Sequence, residues 1–452
     1  MGHRCSTILA ICSLAVAVGW PRPAEAIDLW QSDDGLRGIE LTPSLKLFTF
    51  GIAVTPDGPE GFEELWPIPD VGGGALGRLR LRLVSDLHPR VRSVIHYEHR
   101  PQIFSSGRLM SSASAALQGD EDVPFRLTPL QWEIASSDPV ASPVDDFLGP
   151  AASTFTWVHE IDRLLFAFSL PALDITVGRQ AVSWGFGRFW APMDYFAPMS
   201  PTDLDREERR GIDALRLTLS LGPTSFFEVM VVGGAERDEE GDLEVTWDAS
   251  ALAWLLRVEA WGVDFLLSAG KLGRDRVIGA GVSGQVGGVT LRGEATATED
   301  EDHDRYVRAT AGVEFGTAFN LTGIVEYHYN GFGTLDPERY LTRATRFASR
   351  MATGQLAGLG QHYLGVTLAW QPSYWGALSL IYIQNLTDGS LTLGPAISYA
   401  ISDEVRLQFV ALIPIGARPD WETNDLGIPE MVPESEMGLG AQMYVLQVSA
   451  SI

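Results

Sequence analysis

The feature that most restricts this chain is how its connections sort by length. Segments of alternating apolar and polar residues run near 39–53, 75–87, 91–100, 154–170, 173–183, 211–221, 225–233, 249–258 and 261–271. They continue near 276–286, 289–298, 305–315, 319–330, 361–370, 375–385, 389–401, 404–415 and 437–452, which makes eighteen. Links after even-numbered segments are short: His88-Pro89, Pro171-Ala172, Gly222-Pro223-Thr224, Ala260, Gly287-Gly288, Gly316-Thr317-Ala318, Gln371-Pro372-Ser373 and Ser402-Asp403. The long links, 54–74, 101–153, 184–210, 234–248, 331–360 and 416–436, all follow odd-numbered segments. A barrel that crosses a bilayer has short turns on one rim and long loops on the other. A soluble sandwich has no reason to sort loops by parity. The expected fold is therefore all-β: a single transmembrane, antiparallel, up-and-down β-barrel of eighteen strands, with sixteen as the neighbouring even count. Its short turns and termini would be periplasmic.

Strand composition agrees. Leu79, Leu81 and Leu83 alternate with Arg80 and Arg82, and Leu215, Leu217, Leu219 and Leu221 alternate with Arg216, Thr218 and Ser220. In lipid every backbone polar group must be satisfied within a closed sheet, so one face meets acyl chains and the other a polar interior. Trp157, Trp261, Trp370 and Trp375 fall near strand ends, where interfacial aromatics are expected. After the N-terminal segment, no stretch reaches the 18–20 apolar residues of a spanning helix. The final run, Tyr444 to Ile452, ends inside an apolar row, like strands read by the outer-membrane barrel-assembly machinery, although Ile452 replaces the usual aromatic.

Residues 1–26 read as a signal peptide: His3 and Arg4 precede the apolar core Ile8–Gly19, and Ala24-Glu25-Ala26 is a small-x-small cleavage site. The barrel is then 27–452. Both cysteines, Cys5 and Cys12, lie in the removed segment, which leaves no disulfide and no thiolate ligand or nucleophile.

With the leucine rows on lipid, the opposite parity lines the lumen. That row holds Arg78, Arg80, Arg82, Arg92, Arg216, Arg257, Arg292, Arg308 and Arg406, together with Glu98, Asp264, Glu294, Glu314, Glu326, His96 and His328. Two readings stay open. The arginines form a ladder that concentrates anions, or they pair with acids on neighbouring strands and fix the register of a wet lumen. The formal charge of −25 does not decide between them, because acids cluster in loops such as Asp238-Glu239-Glu240 and Glu299-Asp300-Glu301-Asp302.

The stretch from Leu173 to Pro198 begins as a plain strand and breaks into Gly, Trp, Phe and Pro. It is the fifth strand plus the third outward loop, where general porins fold a loop inward. Trp184, Phe186, Phe189, Trp190, Tyr195 and Phe196 would stiffen it. Gly185 and Gly187 would permit a tight backbone, while Arg179, Arg188 and Asp194 would supply charge at a constriction. Strict alternation from Val177 points Arg179 at lipid, so a bulge at Gly178 is expected to turn it inward. In the loop 331–360, Asp336 caps and Pro337 starts a helix bearing Arg339, Arg343, Arg346 and Arg350 beside a stripe of Tyr340, Ala344, Phe347 and Met351. Such a helix folds over the mouth, lies at lipid headgroups, or simply packs on its neighbours. Segment 101–153 reads as a large outer loop rather than a domain.

Gly178-Arg179-Gln180, the run Trp184 to Arg188 (WGFGR), Pro192-Met193-Asp194 and the run Tyr327 to Gly333 (YHYNGFG) resemble a pattern of Gram-negative porin-like barrels, among them those related to the alginate-export channel. The resemblance covers about thirty residues. It implies a passive channel for a sugar, polysaccharide or other hydrophilic solute, with the arginine-lined pore of the alginate-export family as a parallel for the ladder. The reading is a non-enzymatic diffusion channel of a Gram-negative outer membrane for small hydrophilic solutes, anionic ones and sugars among them. A polysaccharide-export barrel and a plugged structural or surface-binding barrel stand as alternatives. No Gly-x-Ser-x-Gly elbow, His-Glu-x-x-His or Walker loop occurs. The nearest histidines, His96 and His99, have opposite parity, and Glu326 with His328 reads as a lumen hydrogen-bonded pair. No cofactor, metal or nucleic acid is expected. The partners are membrane lipid, lipopolysaccharide, the assembly machinery and the solute, and the oligomeric state is left open.

Overall fold

The computed structural model describes residues 27–33, 37–53, 71–105, 125, 127, 130–135, 153–198, 209–237, 243–352, 354–423 and 429–451. The signal peptide, the cysteines and Ile452 lie outside the described residues.

Eighteen strands form the wall. They are β1 Gly38–Ala53, β2 Val71–His88, β3 Val91–Ser105, β4 Ser153–Ser169, β5 Leu173–Gln180, β6 Ile212–Ser220, β7 Phe226–Val232, β8 Ala251–Ala260 and β9 Val263–Leu272. Then follow β10 Asp275–Val286, β11 Val289–Glu299, β12 Arg305–Gly316, β13 Leu321–Asn330, β14 His362–Ser373, β15 Gly376–Asn385, β16 Leu391–Ala400, β17 Val405–Ile415 and β18 Gln442–Ser451. Each is antiparallel to its neighbours, and β18 pairs back onto β1 from Ser44↔Ser451 to Ala53↔Gln442, which closes the barrel. Closure leaves no open ladder at membrane depth. Below the point where β18 stops, the short strand Ile27–Gln31 pairs with Gly38–Leu41 and covers the remaining edge of β1. The expected segments and the parity of short and long links both hold, because period-two alternation and turn residues are local signals.

The wall is uneven in height. Strands β2, β3 and β4 have 18, 15 and 17 residues, against 8, 9 and 7 in β5, β6 and β7. Where β5 ends at Gln180, the upper part of β4 needs another partner. A short strand, Gln131–Ala135, fills this place by pairing with Thr156–Glu160 of β4. Part of the large loop 101–153 is thus wall. The outward rows carry the exposed Phe166, Phe168, Val177, Leu215, Leu219, Val231 and Val282, as expected of a lipid-facing surface.

The bulge expected at Gly178 is absent, since both ladders of β5 keep register through it. The irregularity lies one strand away, between Ile161 and Arg163 of β4, opposite His96 and Tyr97. Gly178 is nonetheless unusual, with a φ of +112°.

Candidate channel constriction

After Gln180 the chain turns off the wall and runs across the lumen face of β6–β14. Val182, Trp184, Met193, Tyr195 and Phe196 bury themselves against inward side chains of that wall, including Ile212, Met230, Ala253, Leu255, Leu266 and Val277. A sequence signal for this contact existed. The run Ala251 to Leu256 is apolar on both parities, which is what a strand covered on both faces looks like. Within the loop, Trp184 packs edge-on to Phe196 at 5.1 Å and to Tyr195 at 5.8 Å. Trp190 stacks on His328 at 5.2 Å and 10°.

Three wall carboxylates hold the loop. Glu228 accepts the Trp184 indole N–H at 2.7 Å. Glu294 accepts the backbone N–H groups of Phe186, Gly187 (3.3 Å) and Met193 (3.2 Å). Glu326 accepts those of Arg188 at 2.9 Å, Phe189 at 3.0 Å and Trp190 at 2.8 Å. A loop with no sheet partner must satisfy its buried N–H groups some other way, and an anion in a concave run of amides does so. Gly185, at φ +88°, bends the chain around Glu294. The opposite sign is used too: Arg308 donates to Pro192 O at 3.2 Å and to Gln355 O at 2.6 Å, which ties the inward loop to the loop 331–361. Glu294 and Glu326 were assigned to the lumen by parity alone. Their role as loop anchors needed the fold.

The charges expected at the constriction separate. Arg188 is exposed, 57 % by side chain, and lies 3.3 Å from Glu314. Asp194 is buried and closed by Arg209. Arg179 is not a constriction residue. It is 1 % exposed and grips Asp213 through both carboxylate oxygens at 2.9 Å, and it also donates to Ile161 O. Its cross-strand partners are Leu164 and Asp213, so it keeps the outward register and is neutralised there rather than turned inward. Glu326 and His328 are not a bonded pair either: Glu326 serves the loop, and His328 Nδ1 meets the Thr310 hydroxyl at 2.9 Å.

The arginine row divides between the two earlier readings. On the loop side each member has a fixed partner: Arg216 with Glu228, Arg257 with Asp264, Arg292 with Glu314, and Arg308 with the loop carbonyls. At the short-turn rim, Arg92 pairs with Asp86 at 2.7 Å, and Arg406 is exposed. On the opposite arc, β1–β4, Lys46, Arg78, Arg80, Arg82, Arg100 and Arg163 gather around Glu98, Glu160 and Asp162. Arg78 stands directly across from Lys46, a like-charge pairing. The side chain of Arg82, on the same row, is exposed and has no ion pair among the described residues.

The loop helix divides into α1, Tyr340–Arg346, and α2, Ala348–Ala352, after a 3₁₀ turn capped by Asp336. Phe347 is buried and Met351 packs beside it, with Phe332 and Tyr306 beneath, while Tyr340, also buried, donates its hydroxyl to Asp388 at 2.8 Å. Arg346 reaches Asp304 at 2.7 Å, Arg350 grips Asp275, Arg339 returns to Asp336 at 3.3 Å, and Arg343 lies 5.9 Å from the Phe347 ring. Three of the four arginines thus bind this chain's own carboxylates. The helix packs on its neighbours.

No family model matches the chain, and no curated protein matches its sequence. Solved structures match its fold. OccK9 (OpdG) of Pseudomonas aeruginosa aligns with a TM-score of 0.52 at 11 % identity, over 92 % of this chain and 98 % of that one. OccAB2 of Acinetobacter baumannii aligns at 0.51 and 8 % identity, with the same coverages. OccAB4 of Acinetobacter baumannii aligns at 0.50 and 11 %, again over 92 % and 98 %. The likeness is one of fold: an eighteen-strand porin-type barrel.

Proposed function

We propose that the chain is a passive channel of a Gram-negative outer membrane for small hydrophilic solutes, with a preference for anions. The observation that carries this reading is the asymmetry of the lumen. A loop sewn to one side by wall carboxylates faces the row Lys46, Arg78, Arg80 and Arg82 of β1 and β2, where Arg82 is exposed and has no ion pair among the described residues. Fixed cations along one wall raise the local concentration of anions and lower their entry barrier. Outer-leaflet lipopolysaccharide around the wall, the assembly machinery that inserts it and removal of residues 1–26 belong to the same proposal. The narrower kinship with alginate-export barrels, and with it an exported polysaccharide, is a reading of the motifs alone.

Bilayer conductance with a salt gradient tests it. The wild type is expected to give a steady conductance with an anion-favouring reversal potential. The triple variant Arg78→Gln, Arg80→Gln, Arg82→Gln moves that potential toward zero, and Arg82→Gln alone, which breaks no ion pair among the described residues, moves it part way. Unchanged selectivity in the triple variant sinks the anion preference. Absence of conductance from the wild type favours the plugged barrel instead.

A further inference from the structure

One rung of the outer wall carries the charges that stand above its lipid face. Cross-strand register places Leu252 of β8, Lys271 of β9, Arg276 of β10, Glu299 of β11 and Arg305 of β12 side by side. The chain neighbours Ala251 and Val277 are buried against the inward loop, so alternation turns the rung outward. The rungs beneath are apolar. Trp254, Ala269, Ile278, Ala297 and Val307 come next, followed by Leu256, Leu267, Ala280, Ala295 and Ala309. Trp261, in the turn below β9, is 95 % exposed. The path from it up to Lys271 is about 34 Å of strand, or about 26 Å at a tilt of about 40°, against an apolar band about 25 Å tall. Trp261 therefore marks one interface, and the charged rung lies at headgroup level on the side of the long loops.

The rung does not balance itself. Lys271 and Arg276 are direct cross-strand partners, and like charges so placed repel. Lys271 donates to the carbonyls of Trp247 and Ser250, which leaves the third proton of its ammonium to give. Arg276 and Arg305, 79 % and 81 % exposed by side chain, share the one carboxylate of Glu299 at 3.7 and 3.1 Å, and His303 leans on it as well. Ion pairs this exposed contribute little. Higher up, Arg274 at the hairpin tip is taken by Glu236 and Glu301. An anion lying over Lys271, Arg276 and Arg305 would separate the like charges and fill the remaining donors. Below that point the wall is shallow. Ala280, Ala295 and Ala309 share one rung, with Gly293 and Ala311 on the next, while Phe265 and Leu267 stand on one side and Tyr327 and Tyr329 on the other. The bed between them is three strands wide, about 14 Å.

We propose that the outer face of β9–β12 is a binding site for a phosphorylated, multiply acylated lipid of the outer leaflet. Its phosphate lies on Lys271, Arg276 and Arg305, and its acyl chains lie in the bed below. Guanidinium forks match phosphate oxygens in pairs, and the ammonium adds a point charge. A solute anion would meet only the cations, whereas a lipid meets both the cations and the bed. The inference rests on the outer-membrane placement proposed above and adds the place on the wall and the chemistry that is recognised there.

The test uses the whole barrel, purified in detergent and stripped of lipid, with bound lipid counted by native mass spectrometry. The probes are diphosphoryl lipid A, an acylated glucosamine disaccharide, and the same lipid with its phosphates removed. The wild type is expected to hold the phosphorylated form one to one and the dephosphorylated form far more weakly. The combined variant Lys271→Gln, Arg276→Gln, Arg305→Gln should lose roughly a hundredfold in affinity, at about fivefold for each cation near an anionic surface. Arg406→Gln, at an exposed arginine of the short-turn rim, should leave binding unchanged. Equal binding of the two lipids, wild-type binding by the triple variant, or an equal loss in Arg406→Gln overturns the proposal. If the triple variant does not assemble, the comparison of the two lipids on the wild type decides. Conductance is read separately. A barrel that conducts anions but ignores the phosphates loses this site and keeps its channel, whereas one that holds the lipid and passes no current keeps the site and loses the channel.

Discussion

Replacing the loop-holding carboxylates should turn a fixed constriction into a mobile one. Glu326 accepts three consecutive backbone N–H groups, two on Oε1 and one on Oε2. In Glu326→Gln the amide oxygen can still accept two of them, but the charge is gone and an NH₂ faces the third donor. Hydrogen bonds to a charged group contribute about 1.5–3 kcal/mol each, and a buried donor left unpaired costs about 1–3 kcal/mol. Loss of charge assistance on two bonds and of the third bond entirely sums to roughly 2–4 kcal/mol of loop docking. At about 1.4 kcal/mol per decade, the undocked population rises roughly 30- to 700-fold. Glu294→Gln removes a similar anchor from Phe186, Gly187 and Met193. The two anchors share one loop, so the double variant should exceed the sum of the singles. The assay is single-channel recording: the double variant is expected to show larger mean conductance and strong open-channel flicker, while strand content by circular dichroism stays at the wild-type level. A double variant with wild-type conductance and noise would refute the view that these carboxylates set the constriction.

Two further outcomes follow from local geometry. Gly178 has φ +112°, and a Cβ there would lie 2.2 Å from Leu164 O in the ladder. Gly178→Ala should therefore prevent assembly, seen as loss of the heat-modifiable folded band on gels; normal assembly would contradict the tight β4–β5 approach. On the outer side, the hydrogen bond from Arg346 holds the Asp304 carboxyl below its usual value. This contact is fully present above about pH 4 and is lost as pH falls through the lowered value. Hydrogen exchange across 340–352, corrected for intrinsic rate, should speed up as pH falls from 5 to 2, through the lowered value, and Arg346→Gln should have the faster exchange already at pH 5. Equal protection at both pH values would argue against the clamp.

The sequence by itself determined the wall. Alternation and turn chemistry act between residues a few positions apart, so eighteen strands, their order and the rim of each link could be read without coordinates. The inward loop was legible too, from its aromatic and glycine density between Trp184 and Phe196. Tertiary structure alone decided what each charge is for. Parity puts Glu294, Glu326 and Arg308 in the lumen, yet their partners are amides and a carbonyl of the inward loop more than a hundred residues away and, for Arg308, also the carbonyl of Gln355. Arg179 shows the limit from the other side. Its register points it outward as alternation says, and only the pairing of β5 with β6 brings Asp213 opposite to neutralise it. Alternation specifies which face a side chain occupies, because that depends on the strand alone. The partner it meets there depends on which distant segment closure and loop folding bring to that face.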